Sequence, residues 1–233
     1  MRRWGIVVSV LYAVVLVMLL TPACALLAVP QNPFTARFVG DMKEVYGWWP
    51  LWAVLAMLIA GQSVLLFVSV DTTQKRLRPR SSVWVSVAAT SMLLMLLTIA
   101  GALALDAGIY GEKFGETFSK RVGAAVGVIL LTWAAWGAVF YWFATTRNVA
   151  AISRAMNWLL RGSVLELLVA VPCHVIVRRR DDCTAPIATS YGITTGIAVM
   201  LASFGPGVLM LYKKRLDRYK FRGDDKAPPE LRS

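Results

Sequence analysis

The stretch PCHVIVRRRDDC, Pro172 to Cys183, gathers the chain's only histidine, two of its three cysteines, three consecutive arginines and two aspartates. Imidazole, thiol and carboxyl groups move protons and bind metals, and guanidinium forks grip phosphates and carboxylates. The apolar run before it carries one further acid, Glu166, deep inside the hydrophobic sequence. On a regular helix at about 100° per residue, Cys173, Arg180, Asp181 and His174 all fall within about 80° of the azimuth of Glu166. One broad face therefore carries Glu166, Cys173, His174, Arg180 and Asp181.

Pro172 interrupts that face. Its ring crowds the carbonyl of Leu168 and leaves it without a donor, so a kink is expected between Glu166 and His174. Arg178, Arg179 and Arg180 have three readings. They form a helix end neutralised by Asp181 and Asp182, since Arg178 reaches both at three- and four-residue spacing. Alternatively they form an anion-binding mouth above a proton-accepting lane of His174 and Glu166, or a contact to another protein.

Cys173, His174 and Cys183 have the ligand chemistry of a zinc or copper site, with Asp181 or Asp182 as a fourth ligand. The spacing matches no standard pattern, and adjacent helical residues diverge by about 100°. A bridge between Cys173 and Cys183 requires the chain to turn back, because ten helical residues separate Cα atoms by about 15 Å, against the ~7 Å a disulfide tolerates.

The elements that hold these residues are set by hydropathy. Of the 233 residues 58% are hydrophobic and 16% charged, a balance far from that of water-soluble domains. Six apolar stretches have the ~20 residues needed to cross a hydrocarbon core: about 5–29, 48–70, 82–105, 123–146, 157–177 and 187–212. The expected fold is an all-α, polytopic transmembrane bundle of six spans over 1–212, followed by a basic tail, 213–233. Short connections make neighbouring spans antiparallel partners. The first stretch opens with Arg2 and Arg3 like a secretory signal, and Ala23 to Ala25 fits a cleavage site. Its apolar run continues to Val29, longer than a signal core, and reads as an uncleaved anchor.

Charge gives the orientation. With six crossings, roughly two thirds of the 25 Lys and Arg lie on the side of both termini, so the positive-inside rule predicts N-in and C-in in a plasma membrane of the bacterial inner-membrane kind. The net charge of +12 is not gathered on an aromatic-basic platform, which argues against nucleic acid as a partner. Lys213, Lys214, Arg215, Arg218, Lys220 and Arg222 crowd the start of the tail. Each is expected to gain about 1 kcal/mol beside an anionic leaflet, or to serve as a stop-transfer signal.

Lipid is as apolar as leucine, so helices within it associate through small residues and polar links. The sixth span offers Ala188, Gly192 and Gly196 at four-residue spacing, beside Tyr191, Thr194 and Thr195. These make it the expected partner of the fifth, with a backbone carbonyl or Thr194 as the hydrogen-bond acceptor for a protonated Glu166. In the fourth span Trp133, Trp136, Phe140 and Phe143 recur at helical spacing. Such a face packs in a core or against lipid, or lines a groove for a pigment, a quinone or a lipid.

An acid at the middle of a span costs about 2.5 kcal/mol or more on insertion scales, which calls for a reason. The sequence contains no paired-carboxylate, Ser/His/Asp, phosphate-loop or dinucleotide pattern, and no cofactor is expected. Two classes of function fit. One is a non-catalytic integral subunit or assembly partner, with membrane proteins or a second copy of the chain as partners. The other is a small transporter or channel for protons or an anion. A membrane enzyme using Cys173, His174 and the arginines for thiol or headgroup chemistry ranks behind both.

Overall fold

The computed structural model describes residues 2–20, 22–23, 46–47, 49–70, 80–111, 113–146, 151–180 and 185–224. The described residues are helical apart from single turn positions, with no strand among them. Among the described residues six long helices succeed one another: α1 (Arg2–Val15), which widens into a π-helical turn over Leu16–Leu20, α2 (Trp49–Val70), α3 (Arg80–Tyr110), α4 (Lys113–Thr146), α5 (Ala151–Arg179) and α6 (Ala185–Asp224). Among the described residues three segments are long and apolar enough to cross a membrane, namely Trp84–Tyr110, Ala155–Arg179 and Ala185–Gly205. The described apolar parts of α1, α2 and α4, Arg3–Met18, Leu51–Phe67 and Val126–Trp142, are shorter.

Local chemistry sets the helix ends. Pro50 and Pro186 fall in the first turns of α2 and α6, where a missing N–H costs nothing. Gly111 ends α3 with φ of 55°. Its N–H returns to the carbonyl of Ala107 at 3.0 Å, a left-handed cap that glycine adopts without strain. Only residues 111–112 then separate α3 from α4. The hydropathy spans 82–105 and 123–146 leave 106–121 as their connection. The polar residues there extend both helices instead, because loss of hydropathy marks the edge of a lipid-compatible stretch and not the end of a helix.

In the packing, α3 and α6 are the most enclosed elements and α5 lies across both. Helices α1 and α2 cover the other flank of α6, and the hydroxyl of Tyr12 on α1 donates to the carbonyl of Ala198 on α6 at 2.9 Å. Helix α4 rests on the outer flank of α3 and barely meets α5. The indole N–H of Trp136 donates to the Thr98 hydroxyl at 3.0 Å. An edge-packed cluster of Trp136, Phe140 and Trp158 closes its contact with α5. The side chain of Phe143 lies outside the described residues. Val126, Val128, Leu130 and Leu131 of α4 and Leu165 and Leu168 of α5 point away from the bundle.

Candidate functional site

Along the seam where α5 meets α3 and α6, the side chains sort into layers. At one end a broad apolar layer joins Leu93, Leu94 and Leu97 of α3 to Leu159 of α5 and Val199 and Ala202 of α6. Glu166 comes next, 5% exposed. A second apolar layer follows, formed by Ala104, Ala170 and Ile193 with Leu167 and Ile197 against it. Beyond that His174 meets Thr189, and Ala107, Val177 and Ala185 close the far end.

Glu166 fits because three glycines make room for it. A Cβ built on Gly192 would stand 3.1 Å from Oε1, one on Gly101 would stand 3.5 Å from Cγ, and one on Gly196 would collide with Oε2. The carboxyl thus occupies a notch cut into α6 and floored by α3. Neither oxygen has a hydrogen-bond partner among the described residues. An ionised carboxylate in such a place, without cation or donor, is far more costly than the neutral acid. The notch therefore suits a protonated group, and proton loss would favour a different packing or an entry of water.

His174 is held from outside this layer. Its Nδ1 lies 2.8 Å from the Thr189 hydroxyl, and that hydroxyl reaches the carbonyls of Pro186 at 3.2 Å and Ala185 at 3.3 Å. With the hydroxyl hydrogen given to a carbonyl, Nδ1–H donates to Oγ1 and Nε2 carries the lone pair. Cys173 turns instead to α3, where a Cβ on Gly108 would stand 2.9 Å from its sulfur. One guanidinium nitrogen of Arg180 donates to the carbonyl of Gly108 at 3.0 Å, an acceptor in the last turn of α3, where helical donors run out.

The structure therefore sets Glu166, Cys173 and His174 on the buried side of α5, Glu166 against both α3 and α6, Cys173 against α3 and His174 against α6. Arg178 is half-buried, and Arg179 is exposed. Helix α5 stays helical through Pro172 to Arg179. Asp181, Asp182 and Cys183 lie outside the described residues, as do the side chains of Lys213, Lys214, Arg215, Arg218, Lys220 and Arg222, although the backbone of α6 is helical to Asp224. Cys173 is a free thiol. Among the described residues no three His, Cys, Asp or Glu side chains converge as metal ligands. Cys173 and His174 turn to different helices, as their adjacency on a helix requires.

The expected pairing of Glu166 with Thr194 does not occur. The Thr194 hydroxyl bonds back to the carbonyls of Ser190 and Tyr191 at 3.1 Å. Tyr191, Thr194 and Thr195 line a cavity of about 30 Å³ with Leu16, Leu55 and Leu58, on the side of α6 that faces α1 and α2. The glycines and the hydroxyls of α6 occupy different azimuths, so they serve different neighbours. Sequence reasoning also missed the α3 half of the notch. Its signal is the run AGALALDAGIYG, with small residues at Gly101, Ala104 and Gly108. It missed Gln62 too, which is buried at mid-helix in α2 with Oε1 unpartnered.

No protein-family model matches the chain, and no curated protein or solved structure is detectably similar to it. The class that fold and site define is an all-helical bundle with, among the described residues, three helices long and apolar enough to cross a membrane.

Proposed function

We propose that the chain is an integral membrane protein of six crossings with both termini cytoplasmic, and that it works as a small proton-linked carrier whose proton-binding group is Glu166. The observation that carries this reading is the Glu166 carboxyl itself, buried in a glycine notch with both oxygens unpartnered. Ionisable groups held inside apolar spans mark proton or ion pathways by default. The apolar layers on either side of Glu166 suit an occluded state, in which a bound proton is sealed from both faces. His174, beyond the second layer and away from the cytoplasmic termini, then exchanges protons with the far side when that layer opens. Six crossings come from hydropathy and orientation from the basic residues. A bacterial inner membrane is the setting this orientation favours.

The second reading is a non-catalytic subunit or assembly partner. It is favoured by α4, which is held to the bundle mainly along α3 and turns Val126, Val128, Leu130 and Leu131 outward. Reconstitution separates the two. For a carrier, the purified chain runs alone, Glu166→Gln keeps its abundance, and proton flux into liposomes carrying a pH-sensitive dye is lost. Stoichiometric co-purification with other chains, broken by Glu166→Gln and with no flux from the wild type, would overturn the carrier reading in favour of the subunit.

A further inference from the structure

Polar side chains hold α6 on two opposite flanks. Nine residues separate Gly196 from Gly205, which on a regular helix is a turn of about 180° and a rise of about 13.5 Å. Glu166 of α5 fills the notch at Gly196, and Gln62 of α2 fills the one at Gly205, where an added Cβ would collide with its Nε2. Gln62 is 1% exposed, and its Oε1 has no hydrogen-bond partner among the described residues. The geometry points to Gln62 as a positioning residue for Glu166: seated on Gly205, it fixes the rotation of α6 and thereby holds Gly192 and Gly196 opposite the acid.

Gln62 can hold α6 only because α2 is itself held. Its neighbour Gly61 receives Leu93 of α3, whose Cδ2 would stand 2.9 Å from a Cβ built there, and Leu93 is fully buried. The same α3 floors the notch of the acid with Gly101. Both contacts are thus referred to one helix. On the α1 side, Val8 Cγ1 would stand 3.4 Å from a Cβ on Gly205. The Tyr12 hydroxyl grips the carbonyl of Ala198, which lies within about 20° of Gly205 around α6. A turn of α6 by one residue, about 100°, would bring Thr195 or Ile197 to where Gly196 now stands. Neither side chain fits a place where a Cβ alone collides with Glu166.

The amide also makes the hold releasable. Buried without a partner, it regains hydrogen bonds when it leaves Gly205, which an apolar side chain of the same length does not. On the carrier reading, on which this step alone rests, α6 shifts as Glu166 exchanges its proton, and Gln62 lowers the barrier to that shift.

Infrared spectra of the full chain in detergent test the positioning without reference to transport. Ordinary carboxylates are ionised at neutral pH, so a protonated Glu166 gives a carboxyl C=O band that stands apart and disappears in Glu166→Gln. Gly205→Ala unseats only the flexible end of Gln62, and it should move the band to lower frequency as the acid meets a hydrogen-bond donor. Gln62→Ala should do the same. Gln62→Met keeps the length of the side chain and should leave the band in place, while slowing proton flux into liposomes by about tenfold, the amide's lost hydrogen bonding converted to a rate. Phe140→Ala, a truncation on α4, should leave the band unmoved, which separates positioning from general loosening.

A band that neither Gly205→Ala nor Gln62→Ala moves would overturn the proposal, as would one that Gln62→Met or Phe140→Ala moves as far. Should Gln62→Ala not fold, Gly205→Ala decides by itself. A wild type without a protonated-carboxyl band would overturn the proposal and the carrier reading together. A wild type without flux, whose band still answers to Gly205→Ala, would sink the carrier reading and leave the positioning role standing.

Discussion

The carboxyl of Glu166 on α5 occupies the space that a side chain on Gly196 of α6 would fill. The two positions are mutually exclusive above a hydrogen atom. Close helix approach and a buried acid are thus one structural feature, and each can be tested through the other.

Gly196→Ala should destabilise the bundle by about 1 to 3 kcal/mol, because an overpacked seam must part or expel the acid. Glu166→Ala in the same chain should recover much of that loss. A double-mutant cycle by thermal or denaturant unfolding in detergent should show a coupling of about 0.5 to 3 kcal/mol. Additive effects would mean that the two residues do not share the notch.

Glu166→Met replaces an unpartnered acid with an apolar side chain of similar length. With no hydrogen bond lost and a desolvation cost removed, it should raise stability by about 1 to 3 kcal/mol. Transport, if measured in the same preparation, should vanish. A more stable and inactive protein is the signature of a group kept for work and not for packing. Loss of stability in Glu166→Met would reveal a partner for the carboxyl.

Thr189→Val removes the oxygen 2.8 Å from His174 Nδ1 and leaves a buried ring nitrogen unpaired, at a cost of about 1 to 3 kcal/mol. Thr189→Ser keeps the hydroxyl and should lie within about 1 kcal/mol of wild type. Unfolding of the pair, with the His174 ring followed by nitrogen NMR, checks both energy and tautomer.

Arg180→Ala should free the Gly108 carbonyl that Arg180 now satisfies at 3.0 Å. A hydrogen bond from a charged donor contributes about 1.5 to 3 kcal/mol, less where water replaces it. The effect should be local, as faster amide exchange in the last turn of α3. Unchanged exchange there would show that Arg180 serves another role.

Cys183 follows α5 on the side opposite both termini if the charge-based orientation holds. An impermeant maleimide should label it from outside intact cells, and labelling only after the membrane is breached would reverse the topology.

Much of the helical plan was legible because apolar runs of sufficient length admit few structures other than helices in oil. Helix ends were less so. Gly111 and the left-handed cap it forms depend on backbone geometry, and the run GEKFGETFSKR looks like loop because hydropathy registers solvent and not hydrogen bonding. At the candidate site, Glu166 stood out by its cost, and Gly192 and Gly196 by their spacing. Gly101 and Gly108 did not, since small residues are common in such helices and only a partner gives them meaning.

From its sequence alone this protein was committed to helices, to an apolar exterior, and to an acid in the middle of one of them, because composition and periodicity act within a single segment. Only the tertiary structure decided that the acid meets glycines and not threonines. The choice depends on how α6 is rotated against α3 and α5, and that rotation is the outcome of packing between segments far apart in the chain.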